Sequence, residues 1–312
     1  MKFTGKKIAT LTAAVILVVV AGWFSYRSTG VHDDADPAHV VTTAGPVDQG
    51  FVHPMYPFDI EAFASDVRHS EQEVAFSFTV PIKGGLIPHH TLPGALLSRF
   101  FRELSKQDPT TVIIIGPNHP DAGSFRVLTS GAPWETPFGR IESDEAKVAM
   151  ILDLPIAGTD EEILSMEHSI AGVLPFVKYF LPDTKVVPIA VDSRLTRTDI
   201  RLLSEAIARM SDGRTVVLAA VDFSHYLPAR VAEEKDRETG PLLRGFRTEE
   251  ILRLGNDHVD SPTSVVVFLE TMRKLGAMDM DLLANTNSGR LLSNDRAPST
   301  SYFFAGFSGG TE

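Results

Sequence analysis

Apolar positions along this chain follow two kinds of pattern, and each predicts a different element. Continuous apolar runs bounded by turn residues occur at Gly84–Pro88, at Thr111–Ile115, and at residues 186–191 and 215–221. Such runs read as strands buried on both faces. Residues 75–79 and 301–307 alternate instead, as half-buried strands do. The stripe Leu96, Leu97, Phe100, Phe101 and Leu104 predicts an amphipathic helix over Gly94–Gln107. Further helices are predicted at 60–67, 143–153, 169–181, 198–211, 247–254 and 263–276. A strand–helix–strand order implies right-handed parallel crossovers. With no internal repeat and no second linker, one doubly wound α/β domain with a largely parallel sheet is expected.

The first residues depart from this pattern. Lys2, Lys6 and Lys7 precede an apolar stretch from Ile8 to Phe24, and Tyr26 and Arg27 follow it. That length lies at the short end of a membrane span, and Trp23 and Tyr26 suit an interfacial belt. A cleaved signal peptide would begin the same way, but no small-residue cleavage site is present and bulky Trp23-Phe24 close the stretch. The expectation is a membrane-spanning anchor over residues 1–27 and a tether over 28–50. A domain over 51–310 would then lie outside the cytoplasm, in a periplasm or at the cell surface. His32, His39 and His53 lie in or near the tether and are expected to be ordinary solvated side chains.

Charge and composition remove several functions. The formal net charge is −11 and no long basic run occurs, so nucleic acid is not an expected partner. There is no cysteine, which excludes disulfides, thiolate ligands and a cysteine nucleophile together. Neither a glycine-rich phosphate loop nor a Gly-x-Ser-x-Gly elbow is present.

What remains is histidine at strand ends. The 84–88 run leads into His89-His90, the 111–115 run into Gly116-Pro117-Asn118-His119, and the 215–221 run into Asp222-Phe223-Ser224-His225. Ligands bind at that edge of open α/β sheets. Three histidines delivered alike suggest one metal site, since imidazole suits iron, zinc, copper and manganese. Asp222 is either a ligand or the acceptor that fixes a ligating ring. Glu167-His168 is a candidate acid/base pair or only the start of a helix. Ahead of the helix at 263–276, Asp260 could supply a carboxylate ligand or cap the helix, a task Ser261 would share.

These motifs resemble an ordered set. Met55-Tyr56-Pro57, Pro88-His89, Gly116-Pro117-Asn118-His119, Trp134 to Gly139, Glu167-His168-Ser169, Leu174-Pro175-Phe176, Asp222 to His225 and Ser301-Tyr302-Phe303 come in the order seen in the Memo family. The chain looks like its bacterial branch, AmmeMemoRadiSam system protein B. The resemblance implies an α/β/α sandwich similar to class III extradiol ring-cleaving dioxygenases. It also implies a metal pocket lined by His89, His119 and His225. In those dioxygenases the counterpart of the last histidine is an acid/base group, and a carboxylate completes the metal triad. Many members carry a cysteine just before the helix matching 263–276, where this chain has His258-Val259-Asp260-Ser261-Pro262.

The combined expectation is a mononuclear non-haem metal site. His89, His119 and His225 would bind the ion with Asp260 or His258, and His225, Asp222 and His168 would do the chemistry. Iron(II) is favoured, with zinc, manganese and copper as alternatives. The expected activity is oxidoreductase or dioxygenase chemistry on a small molecule. A non-catalytic metal- or peptide-binding protein and a zinc hydrolase are the other readings.

Overall fold

The computed structural model describes residues 50–309. In chain order the first elements are α1 (Ile60–Gln72), β1 (Gly84–Ile87), α2 (Gly94–Ser105), β2 (Thr111–Pro117) and β3 (Val127–Leu128). Next come α3 (Glu145–Leu152), β4 (Ala157–Gly158), α4 (Glu161–Met166), α5 (His168–Ala171), α6 (Leu174–Phe180), β5 (Lys185–Val191), α7 (Arg197–Met210) and β6 (Thr215–Ala220). The last are α8 (Ala229–Arg244), α9 (Thr248–Ile251), α10 (Pro262–Lys274), β7 (Asp279–Asn287), α11 (Ser288–Leu291) and β8 (Ser301–Ser308).

All eight strands form one sheet in the order β4-β3-β5-β2-β6-β1-β8-β7. The centre is parallel: β5 pairs with β2, β2 with β6 and β6 with β1. The flanks correct the expectation of a largely parallel sheet. β8 runs antiparallel to both β1 and β7, and β3 antiparallel to β5, so the sheet is mixed. Every residue of β2 is buried. Its alternate side chains enter two separate cores. Ile113 and Ile115 pack with Leu203 of α7 and Phe268 of α10, whereas Val112 and Ile114 join Phe101 of α2 and Phe176 of α6. Helices therefore cover both faces, as a strand buried along its whole length requires.

Local signals set the helix ends. Thr196 and Asp199 form a reciprocal capping box on α7. Ser261 caps α10 by accepting from the Ser264 N–H, with Pro262 at the first helical position. The helix predicted over 169–181 is divided into α5 and α6 around Gly172 and Val173. Residues 75–79 form no strand, and β7 was not predicted because only its last residue is fully buried.

Among the described residues no helix is long and apolar enough to cross a membrane. The predicted anchor at 1–27, nearly all of the tether, His32 and His39 lie outside them. His53 lies within them, and it is fully buried rather than solvated.

Candidate metal centre

Three parallel strands place the central side chains. β1 ends at Ile87, and His89 follows with its N–H donating to Asp222 Oδ1 at 3.1 Å. The His89 Nδ1 lies 3.2 Å from the Ala220 carbonyl at the end of β6. An acceptor there assigns the ring proton to Nδ1 and leaves the Nε2 lone pair free. β2 delivers His119 in the same way. Its backbone N–H donates to Glu167 Oε2 at 2.9 Å and its Nδ1–H to Glu167 Oε1 at 2.8 Å, so Nε2 is again free. Glu167 also accepts the Ser169 N–H at 2.8 Å, and Ser169 Oγ donates to the Pro117 carbonyl at 3.0 Å. This seats α5 on the end of β2. Gly116 is required for that fit, because a Cβ there would lie 2.4 Å from Ser169 Oγ.

His89, His119 and His168 each offer a ring nitrogen, all within 4.8 Å of one another. The His119 and His168 rings stack at 4.2 Å, and His89 stands edge-on to them at 5.1 and 4.9 Å. Asp260 Oδ2 lies 3.5 Å from His89 Nε2 and 4.0 Å from His119 Nε2. Its other oxygen is buried without a hydrogen-bond partner. A second group, His89, His90 and Asp222, shares His89 with the first. His90 Nδ1 touches Asp222 Oδ2, though the contact is not aligned as a hydrogen bond.

Burial and neighbouring charge separate the protonation states. Burial, reinforced by the surrounding imidazoles against the pull of Asp222, holds His89 down at about 3. Burial and then His119 hold His168 at about 4. Burial raises Glu167, but the His119 ring and the two backbone N–H groups outweigh it and bring the carboxyl to about 2. Burial likewise raises Asp222, and His89 and His90 outweigh it to leave Asp222 lowered. Asp260 goes the other way, raised first by burial and then by the Asp222 charge. Burial lowers His225, whereas at His90 the Asp222 charge overcomes burial and raises it. The result sets three imidazoles shifted down, His89, His168 and His225, beside Asp222 shifted down and Asp260 shifted up.

The structure gathers His89, His119, His168 and Asp260, with Asp222 alongside. It does not bring His225 into either group. The His225 Nδ1–H donates to the Phe223 carbonyl at 2.6 Å, and the ring stands 6.3 Å from His90. Nor does it bring in His258, whose Nε2 lies 2.8 Å from Glu238 and Nδ1 3.1 Å from Asp257. The cause is a turn: the His258 and Val259 N–H groups both donate to the Gly255 carbonyl, at 2.9 and 3.1 Å, whereas the Asp260 N–H donates to Asp222 O. Asp260 is not the helix cap either, since Ser261 fills that role. His90 was passed over in the sequence, although its place beside His89 was the available signal.

A family profile described as Memo-like protein matches residues 56–304. The chain belongs to the Memo-like family. A MEMO1 family protein of Caldivirga maquilingensis is 30% identical over 220 residues, covering 65% of this chain and 76% of that protein. MEMO1 family protein MTH_45 of Methanothermobacter thermautotrophicus is 30% identical over 71% of this chain and 83% of its own length. MEMO1 family protein MJ0403 of Methanocaldococcus jannaschii is 29% identical over 78% of this chain and 92% of its own. Among solved structures, uncharacterized protein JW3007 of Escherichia coli K12 superposes with a TM-score of 0.47 at 12% identity. That match covers 71% of this chain and 99% of the other. In this Memo-like chain the gathered imidazoles and carboxylates, all donors of nitrogen and oxygen, could hold a metal ion.

Proposed function

We propose that this Memo-like domain binds one divalent metal ion, iron(II) foremost, through His89, His119, His168 and Asp260, and uses it in oxidoreductase chemistry on a small molecule. The observation that carries the reading is Asp260. Its carboxyl is buried with one oxygen unpartnered and the other facing the Nε2 atoms of His89 and His119, with no lysine or arginine beside it among the described residues. Leaving such a group uncompensated is costly, and a cation removes the cost. Three imidazoles and one carboxylate suit iron(II), manganese or zinc, whereas copper(I) prefers the soft sulfur ligands absent here.

Bound iron(II) would supply Lewis acidity and one-electron chemistry at positions left open to small molecules. The chain's own residues manage protons around it. Glu167 holds the His119 ring in the tautomer that presents Nε2. His90, half exposed and in contact with Asp222, is placed to hold a proton on its ring. His225, its Nδ1–H committed to Phe223, presents Nε2 as a proton acceptor, and the centroids of the His225 and His90 rings are 6.3 Å apart. Environments that push two titratable groups apart assign acid and base, here His90 and His225. Beside them Tyr226 is exposed and left-handed at φ 61°, a rare conformation for an aromatic residue.

The apolar stretch Ile8–Phe24 supports placing this domain outside the cytoplasm on a membrane anchor. Purification under anaerobic conditions, followed by metal analysis and reconstitution with iron(II), manganese and zinc, tests the centre. One tightly bound ion per chain, with oxygen consumed only by the iron form in the presence of a substrate, supports the reading. Stoichiometric zinc with hydrolytic turnover would move it to a zinc hydrolase, and no stoichiometric metal would end it.

A further inference from the structure

A second cluster lies outside the metal site, around the buried His53. Its backbone is pinned between strand-like partners: the N–H donates to Pro133 O at 2.9 Å, and its carbonyl accepts the Glu135 N–H at 3.0 Å. The ring stacks on Trp134 at 3.8 Å and 14°. Both ring nitrogens are therefore aimed by a rigid frame. Nδ1 meets Ser165 Oγ at 2.8 Å, and Nε2 meets Ser130 Oγ at 3.0 Å. Ser130 in turn donates to Glu161 Oε1 at 2.9 Å and accepts the Ala132 N–H at 3.0 Å. Glu161 and Ser165 are four residues apart on α4 and so share one face.

With the ring neutral, one proton arrangement satisfies these partners. Because the Ser130 hydroxyl hydrogen goes to Glu161, the Nε2 of His53 must donate to Ser130, and Nδ1 must accept from Ser165. A ring that accepts a serine proton on one side and is backed by a carboxylate on the other is the arrangement that activates a serine. A purely structural fastening would need only the two hydroxyls. Here Glu161 Oε2 is also buried 2.8 Å from Nε2, off the N–H axis and without a hydrogen-bond partner. Such an oxygen destabilises the resting fold but stabilises an imidazolium.

We propose that Ser165, half-buried on α4, is the nucleophile of a second site that takes carboxylic esters, with His53 as general base and Glu161 as the charge behind it. Ser165 Oγ adds to the ester carbonyl carbon while its proton passes to His53 Nδ1. The acyl C–O bond then breaks, and the departing alkoxide takes that proton. Water repeats the sequence, releasing the carboxylic acid and restoring Ser165. This inference does not rest on the metal reading.

The test uses the full chain stripped of metal with EDTA. It is treated with a fluorophosphonate probe and with p-nitrophenyl acetate, and the modified peptide is mapped. The expected result is modification at Ser165 at a rate unaffected by added metal, lost in Ser165→Ala. His53→Gln should slow it by at least about a hundredfold, the range for loss of a general base. A wild-type chain unmodified at Ser165 overturns the proposal without any variant. So does an equal rate in His53→Gln whose circular dichroism and melting match the wild type, since the cluster would then only fasten residues 51–56.

Discussion

Asp222 and Asp260 hold each other through their backbones. The Asp260 N–H donates to Asp222 O at 3.1 Å, and the Asp222 N–H donates to Asp260 Oδ2 at 3.3 Å. Two acids that would repel in isolation are thus fixed side by side under the histidines, and one of them bears the cost.

That cost has a pH signature. Below the ordinary aspartate value of 3.8 the Asp260 carboxyl is protonated in both folded and unfolded chains and does not distinguish them. As pH rises the unfolded chain ionises freely while the folded one resists, so stability falls until the raised folded value is passed. Asp260→Asn removes this loss and keeps an oxygen for the Asp222 N–H. In EDTA the variant should melt with the wild type near pH 4 and above it at pH 8. Its affinity for added metal should drop by at least about tenfold, the smaller of the losses seen even for groups that only support a ligand.

Metal content separates the histidines. Single alanine substitutions at His89, His119 and His168 should each reduce bound metal, measured per chain after reconstitution. His258→Ala should retain it, because that ring is committed to Glu238 and Asp257. His225→Ala should also retain metal while losing turnover. Loss of metal in His225→Ala would return that residue to the ligand set.

Glu167→Gln tests the carboxylate that orients His119. A glutamine amide offers one acceptor oxygen where three N–H groups now converge. Metal affinity should fall roughly 10–100-fold, as for other losses behind a metal-bound histidine. Isothermal titration of the anaerobic protein reads this directly.

Gly116→Ala should destabilise the chain by about 1–3 kcal/mol, the usual cost of overpacking. The added Cβ meets Ser169 Oγ at 2.4 Å and Ser169 Cβ at 2.8 Å, and Ser169 is itself buried. Chemical denaturation measures it. Pairing the substitution with Ser169→Ala should recover only part of the loss, because the Ser169 Cβ remains.

The sequence showed the centre of the fold more clearly than its margins. β2, β5 and β6 are buried along nearly their whole length, so their apolar runs carried the whole signal. The 16-residue helix α8 escaped notice because its buried positions are Ala229, Ala232, Asp236, Thr239 and Leu243. The helical spacing is present, but four of the five residues are small or polar. At the site, the ends of β1 and β2 bring the His89 and His119 rings together, because a strand fixes direction as well as place. His225 and His258 followed loops, where neighbours in sequence diverge in space. His53 was hidden for a related reason: a polar stretch looks solvated until Trp134 and two serines are folded over it.

β8 has a consequence for how the protein is made. The Phe223 N–H donates to the Ser301 carbonyl, the Ser301 N–H donates to the Ser224 carbonyl, and Ser301 Oγ reaches the buried Asp236. The loop bearing Asp222 and His225 is therefore stitched down by a strand that leaves the ribosome after every histidine has been synthesised. A nascent chain arrested before Ser301 would possess all the donors and lack the seam that holds them. Loading of the proposed ion would then follow completion of the polypeptide rather than accompany its synthesis.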